Sequence, residues 1–301
     1  MNQLSRVFAA IDFSKPARSA FEYALALSKH HGAELVVVQA VPPDQPFGWH
    51  ARDRRALTAK LRQRAEQSNV EFTDRVQTGD PAEIILLHAR SLRPDVIVLG
   101  THQRRGIDRL RMGSVAERVV AKATVPVLLV PRGLPMSTIK PFNHVAVAID
   151  FRHGTNRSVE QALALASEPT DRITLLHVVS RSSSSVPLHL YGYGIVESDD
   201  PAIRDARHRL QLAVPVKRHA PTAIDTRVLV GNAATEIGRA IESIGAELLV
   251  VGVPKRSVVS RALFGTTAAR LLRTIRVPLL AVPDLGASST HQKSASLQLA
   301  A

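Results

Sequence analysis

The stretch GTHQRRGIDRLRMGSVAERVV, residues 100–120, holds three glycines, five arginines and a Gly-Ser pair. It follows the apolar run Val96-Ile97-Val98-Leu99 and passes into a helical pattern. Glycines let a backbone approach a ligand closely. The unpaired amides and dipole at a helix start attract anions, phosphate above all. The candidate binding residues here are Gly100, Thr101, His102, Arg105, Gly106, Gly113, Ser114 and Val115, with Arg104, Arg109 and Arg111 adding positive charge. A second, similar loop supplies Gly252, Gly265 and Thr266; in both loops the second glycine comes 13 residues after the first and precedes a hydroxyl residue. A plainer reading stands beside this one. Ser114 and Glu117 have the S-x-x-E spacing of a capping box, and the glycines then serve only turns.

The loops recur because the chain repeats itself. VFAAIDFS at 7–14 answers VAVAIDFR at 145–152, and LVVVQAV at 35–41 answers ITLLHVV at 173–179, both 138 positions apart. RVQTGDPAEI answers RVLVGNAATEI, DVIVLG answers ELLVVG, and TVPVLLVP answers RVPLLAVP, the last two 152 positions apart. The second half thus carries 14 extra residues between its second and third blocks, within SRSSSSVPLHLYGYGIVESDDP, which reads as a loop or lid. Asp12 ends the first apolar run of one half and Asp150 ends its copy; each reads as lining a ligand or as capping the helix that follows.

Short apolar runs rich in Val and Ile are strands buried on both faces, as in a parallel sheet. Helical patterns alternate with them. Phe21, Ala24, Leu25 and Ser28 stripe one helix that Gly32 stops; Ile84, Leu87 and His88 stripe a second that Pro81 opens; Ala116, Val119, Val120 and Ala123 stripe the last. Each half is therefore a doubly wound α/β domain. Domain one is expected over 1–135, domain two over 142–284, and a disordered tail over 285–301. In such sheets ligands sit at the carboxyl ends of strands where strand order reverses.

Apolar residues are 45% of the 301, enough for a core in each half, and there is no cysteine, which excludes disulfides, thiolate metal sites and a cysteine nucleophile. His30-His31 has no acidic or histidine partner at metal-ligand spacing, so no metal site is expected. Net charge is +13, favouring anionic partners, but the basic residues are scattered, which argues against a nucleic-acid function. The N-terminus lacks a signal-peptide apolar region and no stretch has the length of a membrane span, so a cytoplasmic location away from membranes is expected. No Walker loop, G-x-S-x-G elbow, G-x-G-x-x-G turn or HxGH loop occurs, and no catalytic residue is assigned.

The aspartate in AAIDFS and VAIDFR, the runs VIVLGTH and LLVVGVP, the segment RMGSVAERV and the closing VPVLLVP and VPLLAVP together resemble the universal stress protein family, in tandem two-domain form. That resemblance implies two five-stranded parallel sheets of the adenine nucleotide alpha hydrolase-like fold, packed as an internal pseudo-dimer whose last strands, 127–130 and 279–282, meet. It implies a stress-response regulator that is not an enzyme, or at most a weak ATPase. It implies ATP, with a magnesium ion accompanying it, on a Gly-x2-Gly-x9-Gly-Ser/Thr loop, with Asp12 and Asp150 lining the pockets and the backbone near Val41 and Val179 facing the adenine. The other implied partners are an unidentified protein and a second copy of the tandem chain. Gln103 and Lys255 replace the family's second glycine. The first half keeps Gly106 where the second has Val258, so the first half is the expected nucleotide site. The alternative is that both sites have lapsed and the protein acts through partners.

Overall fold

The computed structural model describes residues 4–12, 15–42, 51–101, 113–131, 134, 142–151, 155–166, 170–180, 200–215, 223–254 and 266–285. The first half runs β1 (Arg6–Ala10), α1 (Lys15–His31), β2 (Glu34–Val41), α2 (Ala51–Gln67), β3 (Phe72–Thr78), α3 (Pro81–Leu92), β4 (Val96–Thr101), α4 (Ser114–Lys122) and β5 (Val127–Pro131). The second repeats it as β6 (His144–Ala148), α5 (Thr155–Leu165), β7 (Arg172–Val179), α6 (Pro201–Leu212), β8 (Ala223–Val230), α7 (Ala233–Ile244), β9 (Leu248–Pro254), α8 (Thr266–Thr274) and β10 (Leu279–Asp284).

All these strands form one sheet in the order β3-β2-β1-β4-β5-β10-β9-β6-β7-β8. Within each half every pairing is parallel, and the halves join through an antiparallel β5–β10 pair in which Leu129 faces Leu279 and Leu128 faces Leu280. The expected meeting of the last strands is therefore present. It satisfies the ladder groups that two apolar strand edges would otherwise expose. The outer edges β3 and β8 instead carry Asp74 with Arg75 and Asp225 with Arg227, charges that discourage further pairing.

The core lies in two layers, because successive side chains of a strand point to opposite faces. Val7, Val37 and Val98 pack under α1 and α2; Phe8, Val36 and Ile97 pack under α3 and α4. The second half repeats this arrangement, and each layer runs unbroken through the junction. Further contacts tie the halves together. Arg157 of α5 donates to the carbonyl of Pro283 at 3.2 Å and, across the boundary, to that of Thr124 at 3.3 Å. Tyr23 of α1 stacks on Phe142 at 6.0 Å between centroids.

Gly32 ends the first helix in the left-handed region, φ 65°. The stripe on α3 needs correction: its buried residues are Ala82, Ile84, Ile85, Leu86 and Ala89, while Leu87 is 52% exposed. The helix is wedged between the sheet and α4, so its apolar face is wide and turned one residue from the i, i+3, i+4 reading. Most of the inserted segment of the second half, taken as a loop or lid, lies outside the described residues; its last two, Asp200 and Pro201, cap and open α6. The tail also lies outside, from residue 286 onward. No described helix is long and apolar enough to cross a membrane.

Gly79 and Gly231 occupy the same turn after β3 and β8, at φ 151° and 143°. Their amides donate to the carbonyls of Val41 and Val179, both at 2.9 Å, which locks neighbouring strand ends together. A Cβ on Gly79 would lie 3.0 Å from Ile84 Cδ1. Gly79→Ala is therefore expected to lower unfolding free energy by about 1–2 kcal/mol, measured by urea denaturation; an unchanged midpoint would contradict it.

Candidate nucleotide site

The chain passes from β1 to β2 and β3 on one side, then returns to β4 on the other. Strand order thus reverses between β1 and β4, and in the second half between β6 and β9. The crevice outside those carboxyl ends is where open α/β sheets hold ligands. Asp12 lies there, exposed, one residue beyond Ile11, whose amide donates to Val38 at 3.0 Å and pins the chain against β2. Asp150 takes the same place in the second half, after Ile149, which donates to Leu176 at 2.8 Å. Since β5 and β10 are antiparallel, the two crevices open at opposite strand ends of the sheet.

Gly100 and Thr101 end β4, paired with Val130 and Pro131. The Thr101 hydroxyl is buried and donates to the Val130 carbonyl at 3.3 Å, so it belongs to the sheet and not to the crevice. His102, Arg105 and Gly106 lie outside the described residues, as does Gly265. The chain is described again from Gly113, whose φ −57° and ψ 137° place it before the first helical residue, Ser114. The capping-box reading is corrected here. Gly113 holds the N-cap position, Ser114 is already inside the helix, and no side chain caps it.

That separates α4 from other helices of the fold. Asp80 caps α3 by accepting from the Glu83 amide at 3.1 Å, Asp200 caps α6 from Ala202 at 2.8 Å, and Asn232 caps α7 from Thr235 at 3.3 Å. Gly113 has no side chain to accept from the first amides of α4. They face the crevice end of the sheet with the helix dipole behind them. A Cβ at Gly113 would meet nothing within 4 Å, so a side chain there has room.

The direction of α4 is set by ions. Arg118 donates to both carboxylate oxygens of Asp80, at 2.8 and 2.7 Å, and Lys122 donates to Glu83 at 2.9 Å. The Arg118 guanidinium holds the Asp80 carboxyl below its ordinary range. Exposed pairs of this kind contribute little stability; their effect is to fix α4 against α3. In the second half Asn232 stands at the place of Asp80, and Thr235 and Thr274 at those of Glu83 and Lys122, so neither ion pair can form. Gly252 lies in β9, and Thr266 opens α8.

The second crevice has a feature that the sequence reading missed. Phe151, next to Asp150, adopts a left-handed backbone at φ 59°, which costs a bulky residue about 1–2 kcal/mol. Its ring lies 4.4 Å from that of His177, and Arg209 of α6 sits 4.2 Å above its centroid. His177 Nδ1 donates to the Ile149 carbonyl at 2.7 Å. Burial, with Arg209 adding to it, holds the imidazole below its ordinary pKa despite that bond. In the first half the same strand position is Gln39, whose amide donates to Thr58 of α2 at 2.7 Å. A polar residue inside an apolar run at matching places in both halves was the available clue.

The family model described as Universal stress protein family matches residues 4–131 and again 141–283. A universal stress protein of Thermus aquaticus is 37% identical over 133 residues, covering 41% of this chain and 96% of its own length. Another, from Methanocaldococcus jannaschii, is 28% identical over 143 residues, covering 44% of this chain and 84% of its own. Each corresponds to one half. The solved structure of a universal stress protein from Archaeoglobus fulgidus covers 93% of this chain and 96% of its own, with a TM-score of 0.72 at 17% identity, which establishes a shared fold for the whole tandem.

Proposed function

Because the chain belongs to the universal stress protein family and carries its domain twice, we propose that the first domain binds an adenine nucleotide, ATP with its magnesium, and signals by occupancy and not by turnover. The observation that carries this reading is the start of α4. It is a helix entered through glycine, without a side-chain cap, held by Asp80 and Arg118 at a crevice where strand order reverses. The amides of residues 113–115 would receive phosphate oxygens, and the loop arginines would add charge. Asp12 would line the opposite wall, and the ends of β2 and β4, at Val41 and Gly100, would flank the base and sugar. The Val41 carbonyl already accepts from Gly79, so the strand end that would face the adenine is held in place.

The protein would act as a stress-linked regulator whose nucleotide state is read by a protein partner. Equilibrium dialysis of the whole chain against labelled ATP is expected to show saturable retention without sustained release of ADP. The absence of saturable binding at millimolar nucleotide would remove the proposal. Steady product formation would replace it with an enzymatic one.

A further inference from the structure

The second domain holds a stack of three side chains where the first holds a simple hydrogen bond. Phe151 leaves the end of β6 immediately after the aspartate that lines the crevice, with its backbone turned into the left-handed region. That turn lays its ring against His177, at 4.4 Å, and beneath Arg209, at 4.2 Å. His177 is itself fixed by its 2.7 Å bond to Ile149. His177 and Val179 are two apart on β7, so their side chains share one face of the sheet. The stack therefore lies beside the strand end against which a base would rest. The Phe151 ring, tilted 37° to the imidazole and with the guanidinium over it, makes the aromatic and cation–π contacts that a bound purine would make.

At the place of Phe151 the first domain has Phe13, which lies outside the described residues. At the place of His177 it has Gln39, which is turned to Thr58 at 2.7 Å. We propose that Phe151, held by His177 and Arg209, fills the base position of the second crevice from within, so that the chain takes one nucleotide and not two. This rests on the reading that such crevices in this chain receive adenine nucleotides.

The test is equilibrium dialysis of the full chain with labelled ATP. It compares the parent protein, Gly113→Asp, Phe151→Gly and the double variant, with folding followed by thermal melts. Glycine suits a φ of 59° and removes the ring. The expected result is one nucleotide per chain in the parent, two in Phe151→Gly, none in Gly113→Asp and one in the double variant. Arg209→Ala, which unloads the ring without touching its backbone, should act in the same direction and serves if Phe151→Gly does not fold. Retention of a nucleotide by Gly113→Asp alone would overturn the proposal, because the second crevice would already be open. So would failure of both Phe151→Gly and Arg209→Ala to add binding in the Gly113→Asp background. A parent that binds nothing, beside a double variant that binds one, would remove the first-domain reading and leave this one standing.

Discussion

Gly113→Asp will weaken ATP binding about a hundredfold while leaving the fold intact or slightly more stable. The position has φ −57° and ψ 137°, accessible to any L-residue, and an added Cβ meets nothing within 4 Å. Aspartate is also a preferred N-cap, exceeding glycine by a few tenths of a kcal/mol. Its carboxylate would accept from the same amides that a phosphate needs and would repel the phosphate that approached. Two like charges about 4 Å apart interact by roughly 4 kcal/mol near a protein surface. Partial exposure lowers that to about 2.7 kcal/mol, the stated hundredfold. Gly113→Ala adds the carbon without the charge and should change affinity less than about threefold. Dissociation constants from dialysis, read beside melting temperatures, check this. Equal losses for alanine and aspartate would point to shape instead of charge and sink the electrostatic account.

His31 sets the second large effect. It ends α1, is 5% exposed, and its Nε2 has no hydrogen-bond partner among the described residues. Burial, then the neighbouring His30, lowers its pKa to about 4, while Asp95 pulls weakly the other way. His30 meets it edge-on at 4.8 Å. The unfolded chain, with an ordinary value near 6.5, therefore takes up the proton first. Stability from this group is complete above pH 6.5 and is lost as pH falls toward 4, about 3 kcal/mol in all. Between pH 7 and pH 5 the loss should be about 2 kcal/mol. His88, His144 and His177 are also lowered, chiefly by burial, and act in the same direction. Urea unfolding of the parent and His31→Phe at both pH values isolates the one residue. The variant should lose about 2 kcal/mol less than the parent over that interval; parallel losses would show that His31 is not the titrating group.

Much of this molecule was legible before its coordinates. Five internal matches, with the apolar runs they contain, predict the sheet, because a strand buried on both faces leaves few choices of residue. The β5–β10 junction is what the family resemblance implies, and the need to cover two apolar edges gives it a physical motive. The glycine at 113 and the aspartates at 12 and 150 stand out in one dimension because each has a counterpart at the matching place of the other half. The misreadings share a cause. The plainer reading of Ser114, as a cap, fails because S-x-x-E spacing is local, whereas the chain turns into the helix one residue earlier, at Gly113. Leu87 was assigned to the core because i, i+3, i+4 spacing does not say which way a wedged helix is rolled. Phe151, His177 and Arg209 are brought together by β6, β7 and α6, and only their three-dimensional order reveals the stack.

The β5–β10 seam has an evolutionary corollary. Two separate copies meeting about a twofold axis would share one gene, so every change would appear on both sides of an isologous contact. On a single polypeptide the partner is always present, whatever the dilution. Each copy is then free to mutate alone. Asp80 with Arg118 on one side and Phe151 with Arg209 on the other are differences of this kind, in paralogous halves that keep a common seam.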